Sequence, residues 1–409
     1  MAVVDPLARE ARQSSSTAHL IYVARAVRDF GDGFIAVLLP VYLTGLGMGP
    51  LEIGVVATLG LLGSALMTLA IGRFGAERDQ RRLLIGSSIL MAATGIAFAA
   101  STIVPIIMLV AFFGTINPSA GSASIFTPLE HTILSRVVTD AERTRMFARY
   151  SLIGAMAAAS GALAAASPDL MITIGMSQMA AIKIMFVLYA ALGIAGGLVY
   201  ARIPTEPFAA HAKAVVGLGP SRRIVYKLAA LFSIDSFGGG FAVQSLVALW
   251  LFSKFGLSLS AAALFFFWTG VLAAFSFPAA AWLAKRIGLI NTMVFTHIPS
   301  SLCLIAAAVA PTVEVALGLL LVRAALSQMD VPTRSSYVMA VVTPAERPAA
   351  ASVTAVPRSL AAAISPAIAG AMFASGYEAW PLILCGVIKI GYDLALLWTF
   401  RDIKPPEEQ

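Results

Sequence analysis

Arg25, Arg28, Asp29 and Asp32 stand at i, i+3, i+4 and i+7 within an otherwise apolar run. A helix carries all four on one face. The spacing predicts two i,i+4 ion pairs, Arg25 with Asp29 and Arg28 with Asp32, which leave the stripe locally neutral. A carboxylate in such a place is a candidate proton carrier, because its charge responds to burial and to nearby cations. Asp32 is the first candidate and Asp235, about a dozen residues into a second apolar run, is the next. Gln244 follows Asp235 by two to three turns, and Asn117, Ser119 and Ser122 give a third run polar groups without charge. Arg323 lies in the middle of a fourth run, with Ser327, Asp330 and Arg334 expected on its face. Arg28 and Arg323 have the charge to hold an anion. Nearer the run ends, Arg78, Arg82 and Glu130 face Asp330, Arg334 and Arg286 in equivalent positions, and this acid–base complementarity predicts a gate. Lys389 and Asp393 form another i,i+4 pair, expected to be structural, and Arg358 is expected to reach headgroups. No nucleophile–base pair is legible, so an enzyme is not expected. Cys303 and Cys385 lie apart, and the four histidines show no ligand spacing, so neither a disulfide framework nor a metal or other cofactor is expected.

The elements that must position these residues are membrane helices. Of the 409 residues, 59% are hydrophobic and only 12% charged, and the mean hydropathy is +0.87. A soluble chain carries about a quarter charged residues. A spanning helix needs about 20 apolar residues. Turns and charges divide the chain into twelve predicted spans, at about 19–45, 51–74, 82–101, 104–132, 148–167, 178–201, 224–253, 258–284, 289–310, 313–339, 350–375 and 380–401. The runs lack the period-two alternation of a β-barrel. Basic residues gather in alternate connections: Arg78, Arg81 and Arg82; Arg143 and Arg145; Lys213, Arg222 and Arg223; Lys285 and Arg286; Arg347; and Lys404. The positive-inside rule places these connections and both termini in the cytoplasm. It also accounts for the net charge of +7 without nucleic acid.

The chain repeats itself. Val137-Val138-Thr139-Asp140-Ala141-Glu142-Arg143 returns 204 residues later as Val341-Val342-Thr343-Pro344-Ala345-Glu346-Arg347. Phe30-Gly31-Asp32-Gly33-Phe34 returns 207 residues later as Phe237-Gly238-Gly239-Gly240-Phe241. An even-numbered half repeated once gives parallel halves about an axis along the membrane normal, with a site between them. The predicted organisation is a tail at 1–18, a six-helix bundle at 19–203, a cytoplasmic loop at 204–223, a second bundle at 224–401 and a tail at 402–409.

On these features the chain resembles the major facilitator superfamily (MFS). The loop run Glu77-Arg78-Asp79-Gln80-Arg81-Arg82 is similar to that family's acidic-basic-x-Gly-basic-basic motif, with Gln80 at the glycine. Gly114-Thr115-Ile116-Asn117-Pro118-Ser119 and Ser327-Gln328-Met329-Asp330-Val331-Pro332-Thr333-Arg334 resemble a group of bacterial permeases. The resemblance implies an all-α fold of 12 transmembrane helices in two pseudo-symmetric six-helix bundles, with helices 1, 4, 7 and 10 lining a central cavity. Helix 4 lacks the basic residue, and helix 5 the Gly-Pro pair, of drug–proton antiporters in that family.

The expected function is secondary active transport by alternating access: proton-coupled efflux of a small organic or amphipathic compound. Uptake of a small polar or anionic metabolite, metal or metalloid export, and a non-transporting receptor or enzyme are the alternatives. The chain has no Gly-x-x-x-x-Gly-Lys-Ser/Thr run, so an ion or substrate gradient must supply the energy. A proton or other coupling ion, a lipid bilayer and a small-molecule substrate are the expected partners. Nucleic acid is not. The chain is expected to work as a monomer in a bacterial inner membrane.

Overall fold

A computed structural model describes residues 6–74, 78–119, 124–136, 140–204, 218–343, 346–401 and 403. Glu77, Ser122, Lys213, Lys404 and most of the central loop lie outside the described residues. Among those described, the chain forms sixteen α-helices and no strand. The first half contains α1 (Pro6–Gly45), α2 (Pro50–Phe74), α3 (Gln80–Ala100), α4 (Val104–Phe113), α5 (Phe126–Arg136), α6 (Asp140–Ala164), α7 (Ser167–Thr173) and α8 (Gln178–Tyr200). The second contains α9 (Arg222–Gly240), α10 (Gln244–Phe255), α11 (Leu259–Ile287), α12 (Leu289–Ala308), α13 (Val313–Ser327), α14 (Asp330–Ala340), α15 (Arg347–Ala374) and α16 (Trp380–Phe400).

Among the described residues, ten helical stretches are long and apolar enough to cross a membrane. The two other predicted spans fall on α1, which carries the four-charge stripe, and on the α4–α5 pair, whose first member has only 10 residues. Three predicted spans are interrupted: the fourth between α4 and α5, the seventh between α9 and α10, and the tenth between α13 and α14. Helix starts follow local chemistry. The Asp79 carboxylate accepts from the Arg81 amide at 2.9 Å and so caps α3, while Ser177, Ser258 and Thr312 cap α8, α11 and α13.

Within the halves, α1 packs on α6 and α8, and α9 packs on α15 and α16. Between the halves, α2 packs along α15, and α6 along α11. Glycine permits the first approach. A Cβ on Gly54 would lie 2.9 Å from the Cα of Gly370. The Ala367 amide donates across this seam to Thr58 Oγ1 at 2.9 Å. At the second seam a Cβ on Gly270 would lie 2.8 Å from that of Ala159. Beyond it the Asp169 carboxylate accepts from the Ser260 amide at 3.0 Å. These contacts join the halves near the α2 start and the α6 and α15 ends, away from the basic loops. The repeated segment starts α6 and α15 on the basic face, and both helices run toward the clasped face.

Candidate functional site

In the first half the four-charge stripe meets α5, α6 and α8. Arg25 Nε lies 2.9 Å from Asp29, as its spacing predicts. Arg28 does not pair with Asp32. Its guanidinium lies 3.1 Å from Asp29 and 3.1 Å from Glu130 of α5. Glu130 is fully buried and also accepts from the hydroxyls of Tyr150 and Tyr200. It is therefore not a solvated loop end. Asp32, 2% exposed, has no cation at contact distance among the described residues and accepts instead from Tyr189 Oη at 3.2 Å. The reason is competition: the buried Glu130 and Asp29 already occupy the Arg28 guanidinium, which lies over the Phe126 ring.

The second half builds the same device with the signs exchanged. A shift of 207 residues carries Arg28 onto Asp235, and a shift of 204 carries Glu130 onto Arg334. Arg334 of α14 lies 3.4 Å from Asp235 of α9. Asp235 also takes Lys389 of α16 at 2.6 Å, and Arg334 also takes Asp330. The i,i+4 pairing of Lys389 with Asp393 is not formed. Asp393, fully buried, instead lies 3.0 Å from His297 Nδ1 of α12. The break between α13 and α14 separates Arg323 from Asp330 and Arg334, so they share no continuous face. Arg323 has no carboxylate partner among the described residues. Nor has Arg358, which lies near Asp235 and Arg334 in the protein rather than at headgroups.

Two interrupted helices bridge the halves. The Ser245 amide, at the start of α10, donates to the Pro118 carbonyl between α4 and α5 at 3.0 Å. Their neighbours are the predicted site residues Gln244 and Asn117. Asn117 is 3% exposed and accepts from the Ser119 amide at 2.9 Å. Ser245 Oγ is buried with no hydrogen-bond partner among the described residues. The first-half network reaches this junction through Tyr189, whose hydroxyl also lies 3.1 Å from Thr115 Oγ1 and 3.2 Å from the Thr115 carbonyl. Interrupted helices meeting between halves are a recurring way for transporters to present backbone and side-chain groups to a substrate.

The model of the Major Facilitator Superfamily matches residues 21–329. The chain belongs to that superfamily. An MFS secondary-transporter fold follows, and with it a multi-pass membrane protein and not an enzyme. An uncharacterised membrane protein of Saccharomyces cerevisiae, YJR124C, is 21% identical over 421 residues, covering 94% of each chain. A bacterial homologue of the human lysosomal transporter Spinster, in an inward-facing, unoccupied conformation, has a TM-score of 0.72 at 15% identity, covering 96% of this chain and 99% of that one. The human organic anion transporter MFSD10 has a TM-score of 0.65 at 13% identity, covering 94% and 99%.

The six residues expected at an MFS cytoplasmic gate do not meet across the halves in this conformation. Glu130, Asp330 and Arg334 are buried in networks of their own half. Arg82 pairs with Asp79 at 3.5 Å, Arg286 lies over the Trp282 ring, and Arg78 is exposed. The halves are clasped at the opposite face, which leaves these helix ends apart. Sequence reasoning missed Tyr150, Tyr189, Tyr200 and His297. Each lies in a predicted span, but its partner is on another helix, and no local spacing announces that contact.

Proposed function

We propose that this MFS protein is a proton-coupled transporter that exports a small organic or amphipathic compound by alternating access. The observation that carries the reading is the position of Tyr189 between Asp32 and Thr115. One phenolic hydrogen has two acceptors at 3.2 Å, the Asp32 carboxylate and the Thr115 carbonyl. While Asp32 is ionised, the charge-assisted bond to it is the stronger. Once protonated, Asp32 donates to the Tyr189 oxygen, and Tyr189 turns its hydrogen to Thr115. The proton thereby changes the hydrogen bonding of the interruption that also holds α10. Asn117, Gln244 and Ser245 then supply polar contacts to the substrate. Under the positive-inside orientation the unclasped face is cytoplasmic, the side from which an exporter loads. The membrane concerned, a bacterial inner membrane, and the monomeric state are part of the proposal.

A second reading, transport of an organic anion, is favoured by Arg323 and Arg358, two membrane cations without carboxylate partners among the described residues, and by the fold shared with the organic anion transporter MFSD10. Both readings meet the same test. A compound is selected by thermal shift from organic acids, nucleosides and amphiphilic cations, then followed in proteoliposomes under an imposed pH gradient. Asp32→Asn and Tyr189→Phe are expected to abolish gradient-driven accumulation and retain exchange. Normal accumulation by Asp32→Asn would refute the coupling role. Selection of an acid that depends on Arg358 would establish the second reading over the first.

A further inference from the structure

We propose that His297 and Asp393 form a second proton-binding site, in the second half, between α12 and α16. The inference rests on the proton-coupled reading for its purpose but not for its geometry. The other carboxylates of the second-half network have a cation at contact distance: Asp235 has Lys389 and Arg334, and Asp330 has Arg334. Among the described residues, Asp393 has only an imidazole at contact distance. It is fully buried, and its Oδ2 has no hydrogen-bond partner among the described residues. An ionised Asp393 beside a neutral His297 is therefore an anion without a contact cation and with one oxygen left dry, a costly arrangement. One added proton relieves it, whether the proton rests on the acid or on the ring.

The proton has a defined route. Before loading, the Nδ1 hydrogen of His297 points to the Asp393 carboxylate at 3.0 Å, and Nε2 accepts from Lys389 Nζ at 3.4 Å. A proton arriving at Nε2 displaces that bond, and the Nδ1 proton passes to Asp393 Oδ1. The ring is again neutral, with its hydrogen on Nε2 facing Asp235 Oδ1 at 3.9 Å. One proton enters and one moves, and no heavy atom changes partner at Asp393. Entry must come from the side of Lys389, whose side chain is 13% exposed, because Asp393 itself has no solvent contact. The charged and titratable groups around the pair are Lys389 and Tyr392 of α16, Asp235 of α9, Arg323 of α13, Arg334 of α14 and, beside Tyr392, Arg358 of α15. Lys389 and Arg334, close to Asp393 but not in contact with it, make the unloaded anion tolerable, so the site can also empty. Asp235 lies in α9, which leads into the α10 junction, so loading the pair bears on the helix that meets α4–α5.

The test uses the proton itself as ligand. Full-length protein in lipid nanodiscs is titrated from about pH 4 to pH 10 while infrared spectroscopy follows protonated carboxyl groups. The wild type is expected to show a carboxyl band that bleaches as pH rises. Asp393→Asn loses that band, and Asp32→Asn keeps it. In His297→Gln its midpoint moves by about one pH unit or more, a tenfold change in proton affinity. A purely structural pair would leave no such band to lose. A pH-dependent carboxyl spectrum unchanged by Asp393→Asn overturns the proposal. If that variant does not fold, an unchanged midpoint in His297→Gln overturns it instead. Failure of gradient-driven accumulation in the wild type would refute proton coupling and leave the infrared result standing.

Discussion

The seam between α2 and α15 gives a direct handle on alternating access. A Cβ placed on Gly54 lies 2.9 Å from Gly370 Cα and 3.1 Å from Gly370 N, and closer still to the Pro366 carbonyl. From the other side, a Cβ on Gly370 lies 2.5 Å from the Pro50 carbonyl. Ordinary contacts begin near 3.4 Å. The obstructing atoms are backbone and cannot rotate away, so the helices must part by several tenths of an ångström. Overpacking of this kind costs about 1–3 kcal/mol. Only the clasped conformation bears that cost, and about 1.4 kcal/mol is tenfold in an equilibrium, so Gly54→Leu should shift the population about fivefold to a hundredfold toward opening at this face.

Spin labels at Ile174→Cys and Tyr377→Cys, 80% and 58% exposed and in opposite halves, report the separation in a background lacking Cys303 and Cys385. Gly54→Leu should add a longer distance to the distribution. Gly72→Leu, whose Cβ would meet nothing within 4 Å, should not. A folded Gly54→Leu protein with the original distribution would refute the argument that the glycine seam holds this face shut.

Glu130 should be essential to the stability of the first half. Glu130→Ala leaves the buried Arg28 with Asp29 as its one remaining carboxylate and should cost about 3–5 kcal/mol. Glu130→Gln keeps an acceptor and should cost less, about 1.5–3 kcal/mol. Thermal unfolding of the purified protein checks the order, and equal melting temperatures for the three proteins would contradict it. On the basic face, Glu346 at the start of α15 anchors the end of the central loop. Hydroxyls of Thr343 at 2.6 Å and Ser221 at 2.7 Å, with the Gly219 amide at 2.5 Å, hold its carboxyl down to about 2. Because the folded value lies below the ordinary 4.5, the anchor is fully present above about pH 4.5 and is lost as pH falls toward 2. Hydrogen exchange of residues 218–224 should therefore rise across that window in the wild type. Glu346→Gln should exchange faster at neutral pH and lose the pH response.

The helical class and most helix limits were legible in the sequence, because apolar runs and punctuation set them directly. The sequence spans 51–74, 178–201 and 380–401 lie within a residue of the observed helices Pro50–Phe74, Gln178–Tyr200 and Trp380–Phe400. The interruptions were less legible. Apolar composition continues through Phe241–Val243, so hydropathy alone cannot see that the hydrogen-bond ladder stops there. Within the site, Arg25 with Asp29 was readable, the two being partners on one helix, whereas Asp330 and Arg334, equally spaced, were expected to face the other half and instead pair with each other. Arg28 with Glu130, Asp235 with Lys389 and His297 with Asp393 were not readable. The i,i+4 rule gives what a helix offers itself, whereas a buried charge takes the best partner among all the helices packed on it.

The inverted pairs bear on how two related halves act differently. Arg28–Glu130 and Asp235–Arg334 occupy repeated positions and join repeated helices, yet neutralising the carboxylate leaves a different cation behind. In the first half that cation is Arg28, on the continuous helix α1, with Asp29 beside it and an aromatic ring over which it lies. In the second there are two, Lys389 of α16 and Arg334 of the 11-residue helix α14, and Arg334 keeps Asp330 beside it. A stranded charge that keeps a carboxylate beside it is held where it is. Arg334 stays with Asp330, whereas Lys389 has no other contact carboxylate among the described residues and can swing toward a new partner. The same two-residue clasp therefore keeps its cation in the first half, where Arg28 retains Asp29, and releases Lys389 of α16 in the second. A proton arriving near Asp235 has more freedom to change the shape of the protein than one arriving at Glu130.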